Sequence, residues 1–111
     1  TWRERHKLVL SIYKISEGFP EKEILGLTSR MRRCVVSITP NIAEGFGRNT
    51  TKDKYQFYSM AQGSLTELQN QLIIARDVGY LKDSKFQAIA QQTIVVNKLI
   101  NGLKRIKNTR Y

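Results

Sequence analysis

Residues 37–48 read SITPNIAEGFGR, and the fold turns on whether a helix passes through Pro40 or stops there. Pro40 has no N–H for the carbonyl of Val36, and its ring crowds that carbonyl. It also pushes Thr39 away from helical angles. A helix ending at Ile38 would leave Thr39 as the cap of a new helix, with Pro40 at its first position. The apolar spacing favours the other reading. Leu27, Met31, Cys34 (with Val35), Ile38, Ile42 and Phe46 keep one helical phase across the proline. A break would lose that phase, so the spacing predicts one kinked helix from about Leu27 to Phe46.

A second row then follows the same helix. Arg30, Arg33, Ser37, Asn41, Glu44 and Arg48 recur in steps of three and four, which predicts a polar stripe along it. Asn41 sits one residue beyond Pro40, where a short amide can bond the backbone near the kink. Glu44 and Arg48 form an i,i+4 pair. We therefore assign Pro40, Asn41 and Glu44 structural roles at the bend or at a subunit contact. A phosphate loop at GFGR is disfavoured, because no strand precedes it and neither a third glycine nor Gly-Lys-Ser/Thr follows. Gly45 and Gly47 fit a close helix approach and a helix stop.

The remaining chain reads as three more helices. Trp2 to about Glu17 carries apolar residues at helical spacing and ends at Gly18, Phe19 and Pro20. EKEILG, closed by Gly26, has room for one turn. Thr50 or Thr51 caps a long third helix, with Asp53 in its first turn. Its seam is Tyr58, Ala61, Leu65, Leu68, Leu72 and Ala75, and Gly79 is its expected stop. Ser84 with Gln87 resembles a capping box for a fourth helix, whose seam is Phe86, Ile89, Thr93, Val96, Ile100 and Leu103. Four amphipathic helices with short connections predict an all-α, up-down-up-down antiparallel four-helix bundle, one domain over residues 1–111.

Composition narrows the function classes. Nineteen Lys and Arg against nine Asp and Glu give a net charge of +10, which favours polyanionic partners through counterion release. No apolar run is long enough for a membrane span. A lone cysteine excludes an internal disulfide, and no charged-then-apolar leader is present, so we expect a cytoplasmic protein without a membrane partner. One histidine and one cysteine leave little for a zinc site, and no metal or cofactor is expected. His6 has Glu4 nearby but no evident nucleophile, Cys34 reads as an inert buried thiol, and Glu44 and Glu67 lack a Glu-x-x-His pattern. An enzyme is not expected.

Helix four also carries a second apolar row, Ala88, Val95, Leu99 and Ile106, and helix three adds Phe57, Met60 and Ile74. One stripe suffices to face a bundle core, so the surplus predicts burial by another copy of the chain.

The segments WRERHKLVLSIYK (2–14), GLTSRMRRCVVSITPNIAEGFGR (26–48) and YQFYSMAQGSLTELQNQLIIARDVGYL (55–81) resemble a known family. It comprises small bacterial four-helix-bundle proteins named after reading frames in the intervening sequences of 23S ribosomal RNA genes. Cys34 stands where a small apolar residue such as alanine is expected. The resemblance implies a homo-oligomer, a pentameric ring with a positive surface. It is also similar in architecture to accessory proteins of diversity-generating retroelements, which bind a reverse transcriptase and nucleic acid. The expected function is binding of RNA or DNA through phosphates, by Arg30, Arg32, Arg33, Arg48, Lys52, Lys54, Lys98, Lys104, Arg105, Lys107 and Arg110. The alternative is a protein-interaction module that docks a polymerase or reverse-transcriptase-like partner.

Overall fold

The computed structural model describes residues 2–106. Four helices form, α1 (Trp2–Ser16), α2 (Leu27–Gly47), α3 (Thr51–Asp77) and α4 (Asp83–Arg105), with a single 3₁₀ turn at Glu21–Glu23 between the first two. Each helix packs on its neighbour in sequence and α1 closes onto α4, while the diagonal pairs stay apart. That pattern is a four-helix bundle. Bonds across the seams run in opposite directions along the paired helices. Cys34 meets Glu67 while Ser37 meets Ser64, and Gln62 meets Asn101 while Gln69 meets Thr93. Both α2/α3 and α3/α4 are therefore antiparallel.

The core follows the predicted seams with three shifts, all on α2. α3 buries Tyr58, Ala61, Leu65, Leu68, Leu72 and Ala75, and α4 buries Phe86, Ile89, Thr93, Val96 and Ile100, with Leu103 half-buried. A fully buried leucine such as Leu68 contributes about 1.5–3 kcal/mol relative to an exposed one. On α2, however, the buried row is Thr28, Met31, Val35, Ile38, Ile42 and Gly45, with Thr28 in place of the half-buried Leu27. Val35 replaces Cys34, and Gly45 replaces Phe46, which is 55% exposed. A Cβ on Gly45 would lie 2.5 Å from Cε1 of Tyr58. The bare backbone of Gly45 thus admits the Tyr58 ring, and Phe46 is displaced to the outside, edge-on to Tyr58.

α2 is one helix from Leu27 to Gly47 with Pro40 inside it, as its unbroken apolar phase requires. Side-chain capping closes some helix ends and not others. Thr50 caps α3 by accepting from the Asp53 N–H at 3.1 Å. α3 ends where Gly79, at φ +89°, lets the Tyr80 N–H reach the Ala75 carbonyl and its own N–H reach that of Arg76, a Schellman closure. The capping box expected at Ser84 does not form. α4 begins at Asp83 with Lys82 in the cap position and no side-chain cap bond, because Lys82 already has the extended backbone of a cap and Ser84 lies inside the helix. No helix among the described residues is long and apolar enough to cross a membrane.

Candidate nucleic-acid interface

The polar stripe of α2 is exposed at Arg30, Arg33, Glu44 and Arg48 and half-buried at its middle, Ser37 and Asn41. Asn41 Nδ2 donates to the Ser37 carbonyl at 2.9 Å, one turn back at the level of the proline. Ser37 Oγ donates to the Cys34 carbonyl at 2.8 Å and shares a 2.7 Å hydrogen bond with Ser64 Oγ. The Cys34 thiol donates to Glu67 Oε1 at 3.1 Å and accepts from Gln71 Nε2 at 3.6 Å. Cys34 is half-buried rather than part of the apolar core. Desolvation, with the Glu67 carboxylate beside it, pushes the thiol from 9.0 up to about 11. Glu44, exposed on the outer edge, pairs with Arg48 at 2.8 Å.

The candidate cations separate into two groups. Arg48, Lys52, Lys54, Lys104 and Arg105 gather at one end of the bundle, where α2 finishes, α3 starts and α4 finishes. Side-chain contacts tie these elements together. Lys54 Nζ donates to the carbonyls of Gly45 and Phe46 at 3.2 and 3.0 Å, satisfying the last turn of α2, where a cation suits the negative dipole end. The Arg48 guanidinium lies 4.5 Å from the Phe57 ring centroid. Lys104 Nζ lies 4.6 Å from that of Tyr55 and donates to Gln62 Oε1 at 2.8 Å. Gln62 Nε2 in turn donates to Asn97 and Asn101 at 2.9 and 2.7 Å. Arg105 donates to the Asn101 carbonyl at 3.4 Å. Lys52 is exposed, and Lys98 is exposed on α4 just above this end.

The other group lies near the start of α2. Arg30 and Arg33 are exposed, whereas Arg32 is tied to α1. Its Nε donates to Ser16 Oγ at 2.9 Å, and its guanidinium covers the Tyr13 ring at 4.7 Å. Arg32 and Arg48, sixteen residues apart on one helix, are separated by about 24 Å at ~1.5 Å per residue. One short stretch of backbone phosphates therefore cannot span the whole predicted set. Lys107 and Arg110 lie outside the described residues.

From the sequence Tyr55 and Phe57 read as packing residues; it does not reveal that they lie beneath Lys104 and Arg48, nor the amide network of Gln62, Asn97 and Asn101. The i,i+4 spacing of Asn97 and Asn101 was a usable signal. The rings were not legible, because each meets its cation only through the tertiary fold. Of the surplus apolar row on α4, Ala88, Val95 and Ile106 are exposed and Leu99 is half-buried; Met60 and Ile74 on α3 are likewise exposed. His6 is stacked on Trp2, centroids 4.7 Å apart. Among the described residues no three His, Cys, Asp or Glu side chains are grouped to hold a metal.

The family model described as 23S rRNA-intervening sequence protein matches residues 1–102. The chain belongs to this family. A similar solved structure is that of a Bacteroides thetaiotaomicron VPI-5482 protein, described as having unknown function and coming from the S23 ribosomal protein family. It superposes with a TM-score of 0.81 at 18% identity, covering 94% of this chain and 97% of that one. At that identity the likeness establishes the shared bundle alone. No curated protein matches the chain. Within the intervening-sequence family, then, this member keeps the bundle and places a cationic, aromatic-floored surface at one end of it.

Proposed function

We propose that this chain is a non-catalytic, cytoplasmic, basic four-helix bundle that assembles with copies of itself, as a pentameric ring, and binds nucleic acid through its phosphates. The observation that carries the binding is the cluster Arg48, Lys52, Lys54, Lys104 and Arg105 at one bundle end, opposed there by Glu4, Glu44 and Asp53. Phe57 and Tyr55 lie under two of those cations, offering faces on which unpaired bases stack. Arg30, Arg33 and Lys98 extend the positive surface, while Arg32 acts mainly within the fold. The self-assembly rests on the exposed apolar residues of α3 and α4, of which Ile106 is 65% exposed, because such surface is ordinarily covered.

Purification of the native assembly tests both parts together. The expected result is a particle several times the 12.8 kDa chain mass that carries nucleic acid removable by high salt. A clean monomer would contradict the ring, and a nucleic-acid-free preparation that ignores added oligonucleotide would contradict the binding. A second reading, a module docking a polymerase or reverse-transcriptase-like protein, draws support from the open groove between α1 and α2. That groove, about 580 Å³, combines Tyr13, Ile24, Val36 and Pro40 with Arg32 and Arg33. Recovery of one stoichiometric protein after nuclease treatment, lost in Val36→Asp, is its expected signature.

A further inference from the structure

Trp2 stands outside the buried core and is 60% exposed. Its indole lies flat against the His6 imidazole, one turn later on α1, with ring centroids 4.7 Å apart and planes 9° from parallel. One face of the indole is thus backed by a second ring, and the other is open. The last turn of α1 meets the start of α2, where Arg32 holds Tyr13 and Ser16, and it shares a cleft with the start of α4. The first turn of α1 therefore lies at the other end of the bundle, where α2 and α4 finish and the cations gather. Trp2 and Tyr13 are eleven residues apart, about three turns, so the indole shares the flank of α1 that turns Tyr13 toward α2. The same distance along α2 from Arg32 reaches Ala43, within about two turns of Arg48. Ser11 and Ile15 occupy the opposite flank, toward Ala88 of α4. The open ring is therefore turned away from the apolar row assigned to self-assembly.

A ring open on one face, beside a cluster of cations, suits a ligand that carries charge and unstacked planar groups together. We infer that the polyanion bound at this end is single-stranded nucleic acid, and that Trp2, backed by His6, is a stacking platform for one of its unpaired bases. Every base has a π-face, so such a platform tolerates any sequence. A duplex brings the phosphates but keeps its bases stacked on one another inside the helix. Inorganic polyphosphate brings charge and no base. The single-strand preference presupposes the polyanion surface proposed above, and it adds a residue of α1 to a site otherwise built by α2, α3 and α4.

Trp2 is the chain's only tryptophan, so tryptophan fluorescence reports this ring alone. The full chain is titrated at about 0.15 M salt with a single-stranded RNA of about 12 nucleotides, with the same RNA annealed to its complement, and with inorganic polyphosphate. Only the single strand is expected to quench Trp2, and it is expected to bind at least about fivefold more tightly than the duplex. Trp2→Ala is expected to weaken single-strand binding about five- to hundredfold. Because no charge is removed, its salt slope and its polyphosphate affinity should match wild type, with far-ultraviolet circular dichroism unchanged. Trp2→Phe is expected to recover most of the lost affinity. The inference is overturned if the RNA binds without quenching Trp2, if the duplex binds as tightly as the single strand, or if Trp2→Ala binds the RNA like wild type. It is equally overturned if Trp2→Ala changes the assembly mass, which would make the ring a subunit contact. In each of those cases polyphosphate binding would leave the polyanion surface standing. If neither RNA nor polyphosphate binds, that surface falls and the stacking site with it.

Discussion

Gly45 shows how one missing side chain sets the α2/α3 approach. Its hypothetical Cβ meets the Tyr58 ring, itself only 4% exposed, at 2.5 Å, so the ring must move if a methyl is added. Gly45→Ala is expected to lower stability by about 1–3 kcal/mol despite the better helix propensity of alanine. Chemical denaturation of the variant beside wild type measures this. Cys34 offers a second test. Its folded-state thiol is raised above the unfolded value of 9.0 to about 11. Its contribution is therefore fully present below about pH 9 and is lost as pH rises through that window, since the unfolded chain ionises first. Alkylation of the native thiol at pH 9 is expected to be slower than in the denatured chain. Glu67→Gln removes the neighbouring negative charge, and the thiol titration, followed by thiolate absorbance, should then move down.

At the scale of the helix, the ends of α3 and α4 make opposite predictions. Thr50 accepts the Asp53 N–H, so Thr50→Ala should cost about 1 kcal/mol. Ser84 lies within the first turn of α4 behind the Lys82 cap position, so Ser84→Ala should fall within about 0.5 kcal/mol of wild type. Paired thermal or denaturant melts compare the two. The helices themselves were readable from spacing, because Ile38 and Ile42 hold phase across Pro40 and the α3 and α4 seams repeat without a slip. What spacing could not choose was which of two adjacent residues turns inward. Cys34 or Val35, and Gly45 or Phe46, differ by one step of about 100°, and the contact with Tyr58 and the polar partners Glu67 and Gln71 decided both. The stripe from Arg30 to Arg48 was legible as a row. That Ser37 at its middle meets a polar partner depended on Ser64 lying opposite, 27 residues away in sequence.

Across the whole molecule, a net charge of +10 announces a polyanion partner without saying where it binds. The fold supplies the place, because antiparallel packing brings the C-terminal turns of α2 and α4 to the N-terminal turn of α3. Cations from three separate segments, Arg48, Lys52 with Lys54, and Lys104 with Arg105, become one surface. Salt-dependent binding at this surface is the central claim. Fluorescence anisotropy of a labelled single-stranded RNA, titrated with the full chain across a salt series, measures it directly, with a Lys52→Glu/Arg105→Glu double variant alongside. Wild-type affinity is expected to fall linearly in log–log form. Removal of two phosphate contacts should weaken binding more than tenfold at low salt and flatten the slope by about 1.4, at ~0.7 per contact. An affinity indifferent to salt, or a double variant that binds like wild type, would contradict the account.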